Sequence, residues 1–578
     1  MCGIAGVMTC DGTAPDPRML DRLLAAIAHR GPDGQGRAAR GDTALLQTRL
    51  AIVDLKTGDQ PFFSDAGTAL VANGEIYNNP ELRQAMAATP FQTQSDCEPP
   101  LFLYDAEGER FADRLRGMYA IAIHDERRGR LVLARDPFGI KPLYYVVTDA
   151  LFAFASEPQA LRAVGLGTAG LDEQHRGELL QLKFTTGAGT IFQGIQRLLP
   201  GETLVVERGT VVRRHRRAAL PAGMPRGRPR VGLDTVLMDA VSVHLRADVP
   251  YGLFLSGGID SASLLALMRR ATGQRIQALT VGWAGGGEKD ESQEAMRLAR
   301  VMNADCHRIE MSEHDFWTLA PRIAAAIDDP TCDAAVLPTW MLGREAAKSL
   351  KVTLCGEGAD ELFGGYSRYR KRRAPWSWIA RKPRSKGLFP GLFPGWREGI
   401  EAAEVLAAPE RTAMQAAQAV DVAEWLPNDL LTKLDRCLMA HGVEGRTPFL
   451  DPVVADHAFS LPDAQKAGLR FGKIVLRDWL SKAFPEAGAY ARKQGFKPPV
   501  GGWMAARGER LASLVAGSPG IAECVDKSVV FAAFHGAREN PQRAWSLLFY
   551  ALWHSRHVVG VGSGGDIGAV LSAASASP

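Results

Sequence analysis

The sequence predicts an α+β sandwich followed by an α/β unit built on a doubly wound parallel sheet. Three observations carry this expectation. Residues 2–206 consist of short apolar or alternating stretches cut by Gly, Asp and Asn turns, the pattern of half-buried strands. From residue 234 onward apolar strands alternate with amphipathic helices, the pattern of a parallel sheet with helical crossovers. A chain of 578 residues also exceeds what one hydrophobic core organises, so the two patterns belong to two domains.

In the first half, strands are expected at 2–9, 43–54, 68–76, 131–136 and 143–147, with helical spacing at 17–28 and 80–87. Residues 207–230, rich in Arg, Pro and Gly, are expected to form a linker. The second unit is expected to span 231–557. A helix at 234–246 precedes a strand at 249–255, the turn Ser256-Gly257-Gly258 and a helix reaching Arg270. Strands at 276–283, 305–311 and 352–354 follow, with a helix at 290–302. The basic, Pro- and Trp-containing stretch 368–396 reads as a surface insertion, and the small, polar segment 558–578 as a fraying tail.

Composition excludes several function classes. Lys and Arg total 68 against 64 Asp and Glu, and a net +4 over this length gives no electrostatic case for a nucleic-acid or membrane partner. No apolar run approaches the ~20 residues of a membrane span. The first residues lack the basic-then-apolar order of a signal peptide. Eight cysteines without a CxxC pair argue against a disulfide framework or zinc ribbon and fit a reducing cytoplasm.

The first chemical constellation begins at Cys2. Removal of Met1 would leave a thiol beside a free α-amine, whose pKa near ~8 lets it accept the thiol proton. Five motifs follow in order: Cys2-Gly3-Ile4-Ala5-Gly6, His29-Arg30-Gly31-Pro32-Asp33-Gly34, Arg49-Leu50-Ala51-Ile52-Val53-Asp54, Asn73-Gly74-Glu75-Ile76-Tyr77-Asn78 and Ser95-Asp96-Cys97-Glu98. Together they resemble the class II glutamine amidotransferases, N-terminal-nucleophile hydrolases with an αββα sandwich. The resemblance implies that Cys2 attacks the glutamine side-chain amide and releases ammonia, with the Asn73 side chain and the Gly74 N–H stabilising the oxyanion. It also implies a glutamine site formed by Arg49, Leu50, Ala51, Ile52, Val53, Asn73, Gly74, Glu75 and Asp96. A guanidinium suits the α-carboxylate, hence Arg49, and a carboxylate suits the α-ammonium, hence Asp96 with Glu75 nearby. Pro99-Pro100 stand where the family begins a helix, so a shifted helix start is expected without loss of the site.

The second constellation is Leu255-Ser256-Gly257-Gly258-Ile259-Asp260-Ser261, set between an apolar strand and a helix. Its glycines permit a tight turn whose N–H groups cradle a pyrophosphate at the positive end of the helix. SGGxDS after a strand resembles the ATP pyrophosphatase family. Cys355-Gly356-Glu357-Gly358-Ala359-Asp360-Glu361, Gly364-Gly365-Tyr366, Glu444-Gly445-Arg446-Thr447-Pro448, Lys473, Arg492-Lys493-Gln494-Gly495-Phe496 and Trp503 extend the resemblance to the synthetase domain of the asparagine synthetases. It implies ATP contacts from Leu255, Ser256, Gly257, Gly258, Asp260, Ser261, Val281, Cys355 and Gly356, and Mg²⁺ on Asp260 and Asp360. Lys473 would neutralise the departing pyrophosphate, and Glu357 would assist adenylate formation or deprotonate ammonia.

The implied reaction is glutamine- and ATP-dependent amidation of a carboxylate, most directly aspartate to asparagine through β-aspartyl-AMP. A peptide or a sugar or polysaccharide precursor is the alternative acceptor. Ring-closing relatives need no ammonia, so an intact Cys2, Arg49, Asn73 and Asp96 argue against them. A lone glutaminase or an amidophosphoribosyltransferase would share only the first half. A homodimer is what the same resemblance suggests.

Overall fold

The computed structural model describes residues 2–168, 170–223, 231–284, 290–373, 384, 386–491 and 498–577. In the first half these include strands β1 (Gly3–Thr9), β2 (Gly34–Arg40), β3 (Thr43–Arg49), β4 (Phe62–Phe63), β5 (Thr68–Ile76) and β6 (Gly117–Asp125). They continue with β7 (Arg130–Arg135), β8 (Tyr144–Val147), β9 (Leu151–Ala155), β10 (Gln196–Arg197), β11 (Glu202–Glu207) and β12 (Thr210–Arg216). The strands form two antiparallel sheets, β10-β8-β9-β1-β3-β2 and β12-β11-β7-β6-β5-β4.

The period of two along each strand builds the layers. On β1, Ile4 and Met8 face the second sheet and pack with Val71, Ala122 and Leu133. Ala5 and Val7 face the other way, onto Leu20 and Leu23 of the helix Pro17–Ala26. On the far side, Leu70, Ala72 and Ile121 pack beneath Leu101 and Tyr104 of the helix Pro99–Glu107. The result is the expected helix–sheet–sheet–helix sandwich. The helix Pro99–Glu107 starts on its two prolines, where the missing N–H groups would have no partner within the helix anyway.

Among the described residues the second half holds five parallel strands: β13 (Tyr251–Phe254), β14 (Gln277–Trp283), β15 (Asp305–Met311), β16 (Val352–Leu354) and β17 (Glu444–Arg446). Their order, β15-β14-β13-β16-β17, shows the chain leaving from the centre in one direction and then returning to build the other side. The order reverses between β13 and β16, and the crevice beyond the carboxyl ends of such strands is where ligands bind in open α/β sheets. The loops 255–258 and 355–358 emerge there. The two halves are pinned together by Arg116, whose Nε donates to both oxygens of Asp451 at 3.0 and 2.9 Å, and by Lys351 with Asp33 at 2.6 Å.

Three expectations are corrected. The linker does not begin at residue 207: Glu207 ends β11 and residues 210–216 form β12, an edge strand of the second sheet. Its arginines looked like a solvated connector, yet Arg214 pairs with Glu202 and Arg213 with Glu109. Residues 224–230 of that linker lie outside the described residues. The segment after 558 does not simply fray, because Ile567–Ala576 is a helix burying Ile567, Val570, Leu571 and Ala574. That i, i+3, i+4, i+7 stripe was masked by a composition of small residues. Finally, the strand expected at 43–54 ends at Arg49.

The helix Ile567–Ala576 is therefore structural. Leu571→Ala should destabilise the C-terminal helical region by about 2–4 kcal/mol, read as a lower urea midpoint. A chain cut after Val561 that kept the full midpoint would show the helix to be dispensable.

Candidate active sites

Cys2 lies at the mouth of β1, buried, and its backbone N–H donates to Asn73 Oδ1 at 3.0 Å. Asn73 is itself fully buried on β5, and its Nδ2 has no hydrogen-bond partner among the described residues. A donor is thus held unsatisfied next to a thiol. Burial pushes the Cys2 thiol up from its ordinary range, opposed by the nearby N-terminal charge and the Leu50 backbone. Gly74 is required by close packing, since a Cβ there would collide with Met118 O on β6.

Asp96 reaches the end of the same strand, its Oδ2 accepting from Ile76 N at 2.5 Å. Burial raises Asp96 to about 6, and burial also raises its neighbour Glu75, against the pull of Arg446. Arg49 ends β3; it pairs with Asp59 at 2.7 Å and donates to Asp54 O, while Asp54 Oδ2 accepts from Gln94 N at 2.9 Å. In the loop after Arg49, Ala51 N donates to Asp33 at 2.8 Å and Ile52 O accepts from Asp248 N, so residues 50–53 are fixed by backbone contacts. Cys2, Asn73, Gly74, Glu75 and Asp96 therefore surround one buried place, with Arg49 tied to the Asp96 loop through Asp54.

The second site follows the switch point. After β13, Ser256 N donates to Ser261 Oγ at 3.0 Å and Gly258 N to Ser256 Oγ at 3.1 Å, which folds the loop over the start of the helix Ile259–Thr272. A cavity of about 290 Å³ is lined by Leu255, Ser256, Val281, Cys355, Gly356 and Glu357. A second, of about 340 Å³, is lined by Gly257, Gly258 and Lys473. Both touch Asp260, Asp360 and Tyr366, so they form two ends of one groove. Every expected nucleotide residue lies along it.

At the junction Lys473 Nζ lies 2.8 and 2.6 Å from the two oxygens of Asp260 and 2.6 Å from Asp360 Oδ1. Burial works against this ammonium, yet the two aspartates hold its pKa above the usual lysine value. Lys473 has a left-handed backbone, φ 55°, a conformation that costs a non-glycine residue about 1 kcal/mol or more. Gly365 makes room for the pair: a Cβ there would collide with Asp360 Oδ1 and Lys473 Cε. The carboxylates expected to hold Mg²⁺ thus already hold a cation, and two carboxylates completed by phosphate oxygens match how that ion is usually bound. They fit it. Glu357 is raised by burial and lowered by Lys433.

Sequence reasoning did not single out Gln47, whose buried Nε2 lacks a partner among the described residues, or Lys433, which lines the first cavity. Neither stands in a glycine-punctuated motif, so neither gave a signal. Trp503 packs on Phe316 in the C-terminal helices, and residues 492–496 lie outside the described residues.

A family model described as asparagine synthase matches residues 232–555, and one described as a glutamine amidotransferase domain matches 1–216. A putative glutamine-hydrolysing asparagine synthetase of Mycobacterium tuberculosis H37Rv is 31% identical, covering 96% of this chain and 97% of its own. Asparagine synthetase 1 of Bacillus subtilis is 29% identical with the same coverage. An amidase, chry2, of Gibberella zeae is 32% identical over 64% of this chain and 60% of its own.

The close approach at Gly365 is testable without any assay of activity. Gly365→Ala should lower the urea midpoint by an amount equal to about 1–3 kcal/mol of overpacking. An unchanged midpoint would show that the Lys473–Asp360 pair is not confined by this glycine.

Proposed function

This chain belongs to the asparagine synthase family and is a glutamine-hydrolysing carbon–nitrogen ligase; from that premise we propose that it amidates aspartate through an acyl-adenylate. With Met1 removed, the Cys2 amine takes the thiol proton and the sulfur attacks the glutamine side-chain carbonyl. The oxyanion then accepts from Asn73 Nδ2 and the Gly74 N–H. Asp96 and Glu75 receive the α-ammonium, and Arg49 exchanges Asp59 for the α-carboxylate. Ammonia leaves a Cys2 thioester, which water hydrolyses to glutamate.

In the groove, ATP lies with its base toward Leu255 and Val281 and its phosphates toward Gly257 and Gly258. The aspartate β-carboxylate attacks the α-phosphorus, the bond to pyrophosphate breaks, and β-aspartyl-AMP forms. Mg²⁺ held by Asp260 and Asp360 would supply charge neutralisation on the phosphates. Lys473, released from the aspartates, follows the pyrophosphate. Ammonia then attacks the acyl carbon and AMP leaves, with Glu357 as the proton acceptor. Lys433 and Glu357 on the cavity wall supply the opposite charges that a zwitterionic amino acid needs, which favours aspartate over a peptide or sugar-derived acid.

The observation that supports this best is Asn73: a buried amide donor without a partner costs roughly 1–3 kcal/mol, and an oxyanion beside Cys2 offsets that cost. Pyrophosphate release should depend strictly on aspartate in a panel of carboxylic acids; release with another acid alone would move the acceptor to the alternative.

Cys2→Ala should cut glutamine-driven amide formation by about 10³-fold or more, while ammonium salts still support synthesis. Native-rate glutamine hydrolysis by that variant would refute the nucleophile. The pH dependence has a definite sign. Asp96, raised to about 6 by burial, is neutral below that pH and anionic above it. The glutaminase kcat/KM should therefore rise through pH 6 and level off above it. Asp96→Asn should remove this limb and lower the plateau by roughly 10- to 100-fold, and a limb unchanged in the variant would assign it elsewhere.

A further inference from the structure

We propose that Arg446 is a positioning residue through which occupancy of the nucleotide groove sets the geometry of the glutamine site. This rests on the glutamine- and ATP-dependent reading above and adds the physical link between its two halves.

Arg446 ends β17, the edge strand of the parallel sheet, and pairs in register with Leu354 of β16. Its carbonyl accepts from Cys355 N at 2.8 Å, and Cys355 is the first residue of the nucleotide loop. The main chain of Arg446 is therefore bonded to the element that must adjust when ATP enters.

Its side chain goes to the other site. The guanidinium is fully buried. Nε binds Glu444 at 2.6 Å, and Nη1 donates to His244 O at 2.8 Å and Arg246 O at 2.7 Å, which fixes three contacts within its own half. Nη2 crosses the boundary and lies 3.2 Å from Glu75 Oε1. At that distance Nη2 still lacks an aligned hydrogen bond to any described residue. The crossing contact is a loose ion pair, the one part of this grip that a small shift can tighten. Glu75 directly follows Asn73 and Gly74 on β5, so its movement is theirs.

A second pair of contacts runs parallel. The His244 and Arg246 backbones held by Arg446 carry side chains that bracket Tyr77, two residues beyond Glu75. The His244 and Tyr77 rings are 4.0 Å apart, and Arg246 Nη1 donates to Tyr77 O at 2.5 Å. Both ends of the 75–77 segment thus answer to one arginine. Lysine, a single point charge, cannot reproduce a fork that meets Glu444, two carbonyls and Glu75 at once.

The test is a KM measurement. In the native enzyme, ATP with aspartate should lower the glutamine KM about tenfold, within the range of ordinary site coupling. In Arg446→Lys this response should fall below about twofold, glutamine hydrolysed per pyrophosphate should climb well above one, and ammonia-driven pyrophosphate release should persist. Because a buried substitution can impair folding, hydrogen exchange of residues 73–77 in the native enzyme provides a second readout and should slow when a non-hydrolysable ATP analogue binds. A native KM indifferent to nucleotide, unchanged exchange in 73–77, or a full response in Arg446→Lys each overturns the proposal. Absence of either half-reaction in the native enzyme would instead sink the functional reading itself.

Discussion

Buried charge must be matched by buried charge, and the boundary between the two halves is built under that constraint. Arg30 comes from the first half and is fully buried; its Nη1 contacts Glu157 at 2.6 Å and Asp435 of the second half at 2.8 Å. Arg436 continues the chain to Asp328 at 2.8 Å, and Arg197 pairs with Asp329 at 2.6 Å. Such networks add little net stability, because desolvation opposes the Coulomb attraction, but breaking one partner costs about 3–5 kcal/mol. Their effect is to permit one docking geometry and penalise others. Arg30 Nε also donates to the carbonyl of Cys2 at 3.3 Å, so the docking geometry and the position of the thiol are one problem.

Within that frame, the sites are shaped by where backbone comes closest. Gly31 packs against the main chain of Thr48 and Arg49, Gly74 against Met118 O, and Gly365 against the Lys473–Asp360 pair. Each permits a neighbour that no Cβ would allow. The chemistry-bearing side chains then approach from several elements at once. Cys2 and Asn73 come from different sheets of the sandwich, and Asp260 and Asp360 from the first turns of helices that follow adjacent parallel strands.

Local signals made much of this legible. The period-two strands β1 and β5, the strand–turn–helix at residues 251–272 and the glycine-marked motifs each declare themselves within about ten residues. What stayed hidden depends on distant partners. The strand β2, Gly34–Arg40, has no apolar alternation and is a strand because β3 supplies its hydrogen bonds. The tryptic-looking Arg run of β12 is an edge strand because Glu109 and Glu202 lie beneath it. Arg446 stood in a motif assigned to the nucleotide half, yet its guanidinium reaches across the boundary to Glu75; only the fold places it there.

The resting electrostatics of the two sites are complementary. At the first, burial favours a protonated Cys2 thiol and raises Asp96 and Glu75, so the charge beside the thiol depends on pH and on neighbouring cations. At the second, Lys473 offsets one of the two negative charges of Asp260 and Asp360, so a polyanion entering the groove meets less repulsion than two bare aspartates would give. A site kept partly neutral binds its charged substrate weakly until something shifts its balance. One cation at the edge of the first site is Arg446, 3.2 Å from Glu75, and it belongs to the sheet that builds the second. The buried charges that fix how the two halves dock thus also touch the segment that carries Asn73, Gly74 and Glu75.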